Sequence, residues 1–584
     1  MNTVLRRVPW RTAAAVALVA VGMALPLREL YRHQGPPMEE GFMLVFPEQV
    51  LRGALPNLDF LHLYGTGSLW VLAAVFKVFG TTLATERTAG LVQQLGIVFG
   101  VFALARPWGR RIAATCGLLA VVLVVPPVGL AALAWNGGVA LGVIGLTVGL
   151  SARRAGQRGD DSIEATERTD ATDATGAPET TEATERTDAT ESRRSGRRRL
   201  LIAGLLAGFA LMFRPDLIIA ISLGYGAMLW GLGGERIKRF ALGLALGVSP
   251  YLIQFATAGL GNSIQGMLLD PVFALRGGRH LQIPPSWDRL DGALQKAGGL
   301  VNPPWPLSAP AAPHQVFFWF FCLPVAALFT VAVGWRGVRR DPGRWRSRVV
   351  LAAGLFGLGL LAQALQRPDT THLAWVSCVP LAFLPVAIAE VLPGRVLRLG
   401  AGLGRFIPGV VVVVLIAALF PFFTLRTYTD YTRQALLDRG IARWSVSNNG
   451  RNFWLGEKSV ADEAQAMVND LDRMAKPGQK LLVGPTDLRK TNYSDAYLYY
   501  LLPKLDPATY YIEMDPGVAN APDSGLAGEV AKSDWIIRSN VWNQWPENND
   551  SQKFGSPEPN RVLDRHFCQV RDYGKWFSLW RRCR

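Results

Sequence analysis

The chain has 584 residues, 50% of them hydrophobic, a mean hydropathy of +0.19 and a formal net charge of +16. A soluble enzyme of this length is normally net hydrophilic, so the composition argues against one. The basic excess does not point to nucleic acid, because the arginines sit between apolar runs and no basic–aromatic binding module is present.

The apolar residues are clustered, at Thr12–Leu27, Ile112–Val125, Leu200–Met212, Phe240–Val248, Phe317–Val333, Val349–Leu365 and Val410–Phe420. A bilayer core takes roughly 20 mostly apolar residues per helix. The first run follows Arg6, Arg7 and Arg11 and lacks a small-x-small cleavage site, which favours an uncleaved first span over a signal peptide. Spans are predicted near 12–30, 88–105, 112–127, 131–150, 200–213, 217–232, 240–257, 316–335, 349–365, 373–392 and 406–424, about 11 in all. The short apolar segment Ser68–Gly80, interrupted by Lys77, suits an interfacial helix better than a span.

Basic clusters lie at Arg6–Arg11, Arg106–Arg111, Arg153–Arg154, Arg193–Arg199, Glu235–Arg239, Arg336–Arg348 and Arg395–Arg405. Placing all of them inside lets the spans alternate without conflict. The expected product is a multi-pass cell-membrane protein with a cytoplasmic N-terminus. The loops 31–87, 258–315 and 366–372 and everything after Thr424 then face outside.

The segment 159–192 repeats Glu-Ala-Thr-Glu-Arg-Thr-Asp-Ala-Thr at Glu164–Thr172 and Glu182–Thr190 and has almost no large apolar side chains. It is predicted to be a disordered cytoplasmic linker. The membrane domain thus covers 1–427. From Tyr428 to Arg584 the pattern changes: Lys480–Val483, Thr509–Glu513 and Trp535–Arg538 read as strands, Ser494–Leu502 and Gly525–Lys532 as helices. This alternation predicts a soluble extracytoplasmic α/β domain over 428–584. Asp487 or Ser494 would cap its first helix. Cys116, Cys322 and Cys378 lie in or beside apolar runs; Cys568 and Cys583 either form an extracytoplasmic disulfide or remain two thiols.

Polar residues placed against membrane cost mark functional positions, and three groups on the outer face qualify. The first loop carries Glu39-Glu40-Gly41, Arg52-Gly53, Pro56, Asp59-Phe60 and Tyr64-Gly65. Paired carboxylates near the bilayer can take a proton or hold a cation, or can simply be solvated. Arg367, Asp369 and His372 form a second group, read either as a phosphate site or as a polar turn with a local salt bridge. Arg279 and His280, in a Trp- and Pro-rich loop, form the third. Arg214-Pro215-Asp216 is a weaker candidate of the same kind, and Trp135-Asn136 places no second carboxylate after its turn.

The first-loop motifs resemble those of GT-C glycosyltransferases, multi-span enzymes that use polyprenyl-phosphate-linked sugars. In that superfamily the acid pair often reads Asp-Glu or Asp-x-Asp; Glu39-Glu40 keeps the carboxylates and lengthens the side chains. The resemblance implies a GT-C-like polytopic α-helical fold and an inverting transfer from a polyprenyl-phosphate-linked sugar to an extracytoplasmic glycan or lipid acceptor. Glu39, Glu40 and Asp59 are then the candidate catalytic acids. Arg367, Asp369 and His372, which match an Arg-x-Asp-x-x-His segment, would bind donor phosphate, with Arg279 and His280. A divalent cation (Mg or Mn) would have only Glu39, Glu40 and Asp59 as ligands. The Ala, Gly, Arg and Val usage fits a GC-rich bacterial genome, such as an actinobacterial one. The rival readings are a flippase or transporter of a lipid-linked substrate and a non-catalytic envelope-assembly protein. Against transport, no inverted repeat of spans is visible.

Overall fold

Pro26 ends the first apolar helix early: α1 runs Trp10–Ala24 and a short turn, Leu27–Leu30, follows. This turn carries Glu29 inward, where it accepts from Arg443 Nη1 at 2.6 Å. The computed structural model describes residues 10–583 other than 36, 173–178, 276–280, 292–294, 296–307, 400–402, 440–442, 492 and 542–554; the side chains of 37, 126–128 and 156–193 are also outside the description.

The first loop is largely helical, with α2 over Pro37–Leu51 and α3 over Gly67–Phe79. α3, at 13 residues, covers the short apolar segment Ser68–Gly80. α4, Leu83–Ala105, starts at Thr82, whose hydroxyl accepts from the Thr85 N–H at 3.1 Å, satisfying one of the unpaired donors of the first turn. It leads through Gly109, whose φ of +99° admits no ordinary side chain without strain, into α5, Arg110–Val128.

Next come α6 (Ala134–Thr172), α7 (Glu179–Phe213), α8 (Ile218–Leu229), α9 (Gly234–Val248) and α10 (Tyr251–Ala258). The insert differs from expectation: helix continues to Thr172 on one side and resumes at Glu179 on the other. Its Ala and Glu residues favour helix over its many Thr, and it extends helices already nucleated in the apolar segments, which avoids the unfavourable first turn. α9 and α10 break at Ser249–Pro250, where proline lacks the N–H that a continuous helix needs.

The helices that follow are α11 (Ala312–Arg340), α12 (Trp345–Leu360), α13 (Thr370–Ser377), α14 (Leu384–Val391), α15 (Ile407–Leu419) and α16 (Thr427–Leu437). The predicted span 373–392 is interrupted around Pro380 and so is two short helices. Among the described residues, five stretches are long and apolar enough to cross a membrane: Leu83–Trp108, Ala134–Ala155, Gly234–Ala258, Ala312–Arg340 and Trp345–Gln366. Leu403–Leu419 and Phe422–Leu437, bent by 105°, make a sixth if taken as one span. Leu252, Ile253, Val325, Leu328, Val410 and Val414 are exposed on these helices, as lipid-facing positions are.

The C-terminal part is α/β. β1 (Trp444–Asn448) and β2 (Arg451–Leu455) form a hairpin through Asn449 and Gly450, both at positive φ. An Asn-Gly pair is the usual occupant of such a two-residue turn. α17 (Lys458–Met474) buries Val460, Ala464, Met467, Val468 and Leu471 at helical spacing. The main sheet has the order β4-β3-β5-β7-β6, with β3 over Lys480–Pro485, β4 over Asp506–Pro507, β5 over Trp535–Ser539, β6 over Phe567–Tyr573 and β7 over Phe577–Arg582. β3 pairs parallel with β4 and β5, and β5 pairs antiparallel with β7. Cys568 and Cys583 are disulfide-bonded across the β6–β7 hairpin.

Two segments of this domain depart from their predicted structure. Thr509–Glu513 is not a strand, because its backbone is held elsewhere: Glu529 accepts from the Thr509 hydroxyl (2.6 Å) and the Tyr510 N–H (3.0 Å), and the Tyr510 carbonyl accepts from Leu61 N–H (2.8 Å). The predicted helix 494–502 forms only over Tyr497–Leu501 (α18), and neither Asp487 nor Ser494 caps it. Asp487 accepts from Arg489 and Asn560, while the Ser494 hydroxyl donates to Ile512 O.

The domain docks on the first loop. Arg451 forms a two-pronged pair with Glu48 (2.8 and 2.9 Å), and Arg52 donates to Pro503 O (2.7 Å). Backbone contact is equally close: a Cβ on Gly41 would stand 2.8 Å from Tyr497 N, so only glycine lets α18 approach α2 here.

Candidate active site

Successive helical residues point about 100° apart, and the N-terminus of α2 uses this to separate its two acids. Glu40 is fully buried and receives Arg87 of α4 in a two-pronged pair, Nε to Oε1 at 2.7 Å and Nη2 to Oε2 at 2.8 Å. Arg87, 1% exposed, also donates to the carbonyls of Leu30 (2.9 Å) and His33 (2.8 Å). Every prong of the guanidinium is thus used to tie α2, α4 and the turn after α1 together. Glu86, next to it, accepts from Ala132 N–H at 2.6 Å.

Glu39 faces the other way, into a small cleft lined also by Tyr64, Trp135, Arg214 and Trp375. Arg214 lies 4.6 Å from the Tyr64 ring centre and 5.4 Å from that of Trp135, and is clamped by Asp216 at 2.8 and 2.7 Å. Trp135 stacks on Trp375 with centres 6.1 Å apart and donates to the Trp375 carbonyl at 3.2 Å. Trp375 belongs to α13, and its ring meets that of His372, one turn earlier, at 4.7 Å.

His372 is held by Asp369, the cap of α13, which accepts from the His372 backbone N–H and from the ring at Nδ1, both at 2.9 Å. Arg367 Nε lies 3.1 Å from the same carboxylate, and Arg367 Nη1 donates to the Tyr493 hydroxyl at 2.9 Å. Burial alone would raise the Asp369 carboxyl; His372 and Arg367 outweigh it and hold the group below the ordinary carboxylate range. The long loop also reaches this segment, through Gln295 Nε2 on Pro368 O at 2.8 Å.

The structure therefore brings Glu39 and the Arg367–Asp369–His372 group to one place, joined through Trp375. It keeps Asp59 out of the cleft: Asp59 is exposed and closes its own turn by accepting from Leu55 N–H at 2.7 Å. Arg279 and His280 lie outside the described residues. The three acids named for a divalent cation do not converge, since both oxygens of Glu40 are engaged by Arg87. Among the described residues no group of three His, Cys, Asp or Glu side chains stands ready for a metal. Sequence reasoning missed Arg87 and Tyr493. A charged Glu86-Arg87 pair opening an apolar helix was the available signal for the first; the second depends on a contact between residues 126 positions apart.

Beneath the cleft lies His62, fully buried against Phe46 and Tyr64. Burial, aided by the charge of Arg214, lowers its pKa to about 3 from 6.5. The stability it contributes is therefore complete above pH 6.5 and lost as pH falls toward 3, at about 1.4 kcal/mol per pH unit. His62→Gln should remove this component of acid sensitivity. Unfolding midpoints of both proteins at pH 7.5 and 5.5 check it; parallel losses in the two would contradict the assignment.

These elements define a polytopic α-helical membrane protein whose C-terminal α/β domain is packed on its first loop. No protein-family model matches the sequence, and no curated protein is detectably similar to it. Among solved structures it is similar to ArnT from Cupriavidus metallidurans bound to undecaprenyl phosphate, at 14% identity and TM-score 0.48, over 97% of this chain and 98% of that one. The apo form of the same ArnT gives 15% and 0.49 over 98% of each chain. The archaeal oligosaccharyltransferase AglB from Archaeoglobus fulgidus, in complex with an inhibitory peptide and a dolichol-phosphate, gives 9% and 0.44 over 97% of this chain and 74% of that one.

Proposed function

We propose that the protein is a GT-C-type glycosyltransferase that moves a sugar from a polyprenyl-phosphate donor to a hydroxyl of an extracytoplasmic cell-envelope glycan or lipid. The observation that supports this most is the cleft lined by both Glu39 and Trp375, the latter one helical turn from His372 and its partner group. Glu39 takes the proton of the acceptor hydroxyl as its oxygen bonds to the anomeric carbon. The bond from that carbon to the phosphate oxygen breaks, and polyprenyl phosphate leaves with the electron pair. One displacement inverts the anomeric centre. Arg367 and His372 stabilise the charge growing on the leaving phosphate, and Asp369 orients both. The donor tail lies against the lipid-facing helices, and the α/β domain presents the acceptor. Glu40 positions Glu39 rather than taking the proton itself.

The test uses the full chain in lipid nanodiscs, supplied with a panel of polyprenyl-phosphate pentoses and hexoses and an envelope-glycan acceptor. The expected products are free polyprenyl phosphate and labelled glycan. Arg367→Gln should lower kcat/KM for the donor by about 10²–10³-fold. Movement of intact donor between leaflets of vesicles, with no cleavage, would replace the transferase by a flippase.

A further inference from the structure

At the far end of α4, 23 residues from the candidate active site end and so about 34 Å away, lies a second concavity. It encloses about 660 Å³ and is lined by Arg11, Arg106, Arg110, Arg111, Arg398 and Arg405. These six come from three separate places: the start of α1, the α4–α5 connection and the segment between α14 and α15. None of the described lining residues is acidic. The nearby carboxylate of Glu390 is already engaged, by Trp108 Nε1 at 2.5 Å and Arg344 at 3.1 Å.

Solvated arginines at helix ends are ordinary where a protein meets the cytoplasm. Convergence of six on one concave surface is different, because like charges so close repel unless an anion sits among them. The fold also holds several of them in place. Arg106 donates to Thr12 Oγ1 at 3.1 Å, Arg11 lies 5.3 Å from the Trp10 ring centre, and Arg111 lies 5.6 Å from that of Phe406. Large apolar side chains flank the cations in sequence and are exposed: Trp10 at 73%, Leu399 at 57% and Leu403 at 64%. Cations around a hollow, with exposed apolar side chains beside them in sequence, match a charged headgroup whose acyl chains stay in the bilayer.

We propose that this pocket binds the headgroup of a phosphate-bearing membrane lipid, at the opposite end of the bundle from the Glu39 cleft and independently of the chemistry there. The probe is dioleoyl phosphatidylglycerol, with dioleoyl phosphatidylcholine as the zwitterionic reference, added to delipidated full-length protein and followed by native mass spectrometry. Wild type should retain phosphatidylglycerol at least about tenfold better. Arg106→Gln, Arg110→Gln and Arg398→Gln together should abolish that preference. Arg336→Gln, Arg339→Gln and Arg340→Gln, an equal loss of charge outside the pocket, should leave it unchanged. Equal retention of the two lipids by wild type overturns the proposal without recourse to any variant. So does an equal effect of the two triple variants, which would mean diffuse surface charge. Inorganic pyrophosphate binding to lipid-free protein as tightly as phosphatidylglycerol would reassign the pocket to a soluble phosphate compound.

Discussion

Glu39→Gln is expected to lower sugar transfer by about 10²–10⁴-fold while the protein remains folded. The change keeps side-chain length and removes the negative charge together with the capacity to accept a proton. The side chain lines the cleft between Trp135, Arg214 and Trp375 and is only partly buried, so its replacement leaves no stranded interior charge. Donor affinity should change little, because the phosphate is assigned to Arg367 and His372. Asp59→Asn, on its exposed turn, is the control and should transfer near the wild-type rate. Transfer by Glu39→Gln at the wild-type rate, measured under single-turnover conditions, would eliminate Glu39 as the base.

The neighbouring acid should behave in the opposite way. Glu40→Gln leaves Arg87 buried without its counter-charge, and Arg87→Met leaves Glu40 in the same position. Each should destabilise the protein by about 3–5 kcal/mol, the cost of an uncompensated interior charge. Glu40→Leu combined with Arg87→Met should recover most of that loss, since an apolar pair of similar volume avoids desolvating either ion. Thermal unfolding in one detergent, followed in the presence and absence of donor, provides the readout. If both single variants unfold as wild type does but no longer turn over, Glu40 is the base and Arg87 tunes it. The positions of Glu39 and Glu40 would then exchange roles.

Much of this architecture is written in local sequence. Apolar run length and arginine spacing predict a polytopic membrane domain, and strand–helix alternation predicts the α/β tail. What escapes such reading has identifiable causes. Pro26, Pro250 and Pro380 shorten or divide helices that hydropathy alone draws as continuous. The Asn449-Gly450 hairpin carries an explicit local turn signal, whereas the failure of Thr509–Glu513 to form a strand depends on Glu529 and Leu61, which no local window contains. Within the site, the acids and the Arg367–His372 segment are visible because polar residues are rare beside the bilayer. The different surroundings of Glu39 and Glu40 are not visible, because Arg87, 47 residues beyond Glu40, is what pairs with one acid and not the other.

The docking of the α/β domain has a consequence for biogenesis. Glu48 meets Arg451 across 403 positions, and Arg367 meets Tyr493 across 126. Synthesis proceeds from the first helix onward, so the early loop is made while its partners are still unmade. At ordinary translation rates that interval is on the order of half a minute. The first helices of the nascent protein are therefore made well before the partners of its first loop exist, and a ribosome that stalls short of Tyr493 releases a chain in which Arg367 lacks its hydroxyl partner.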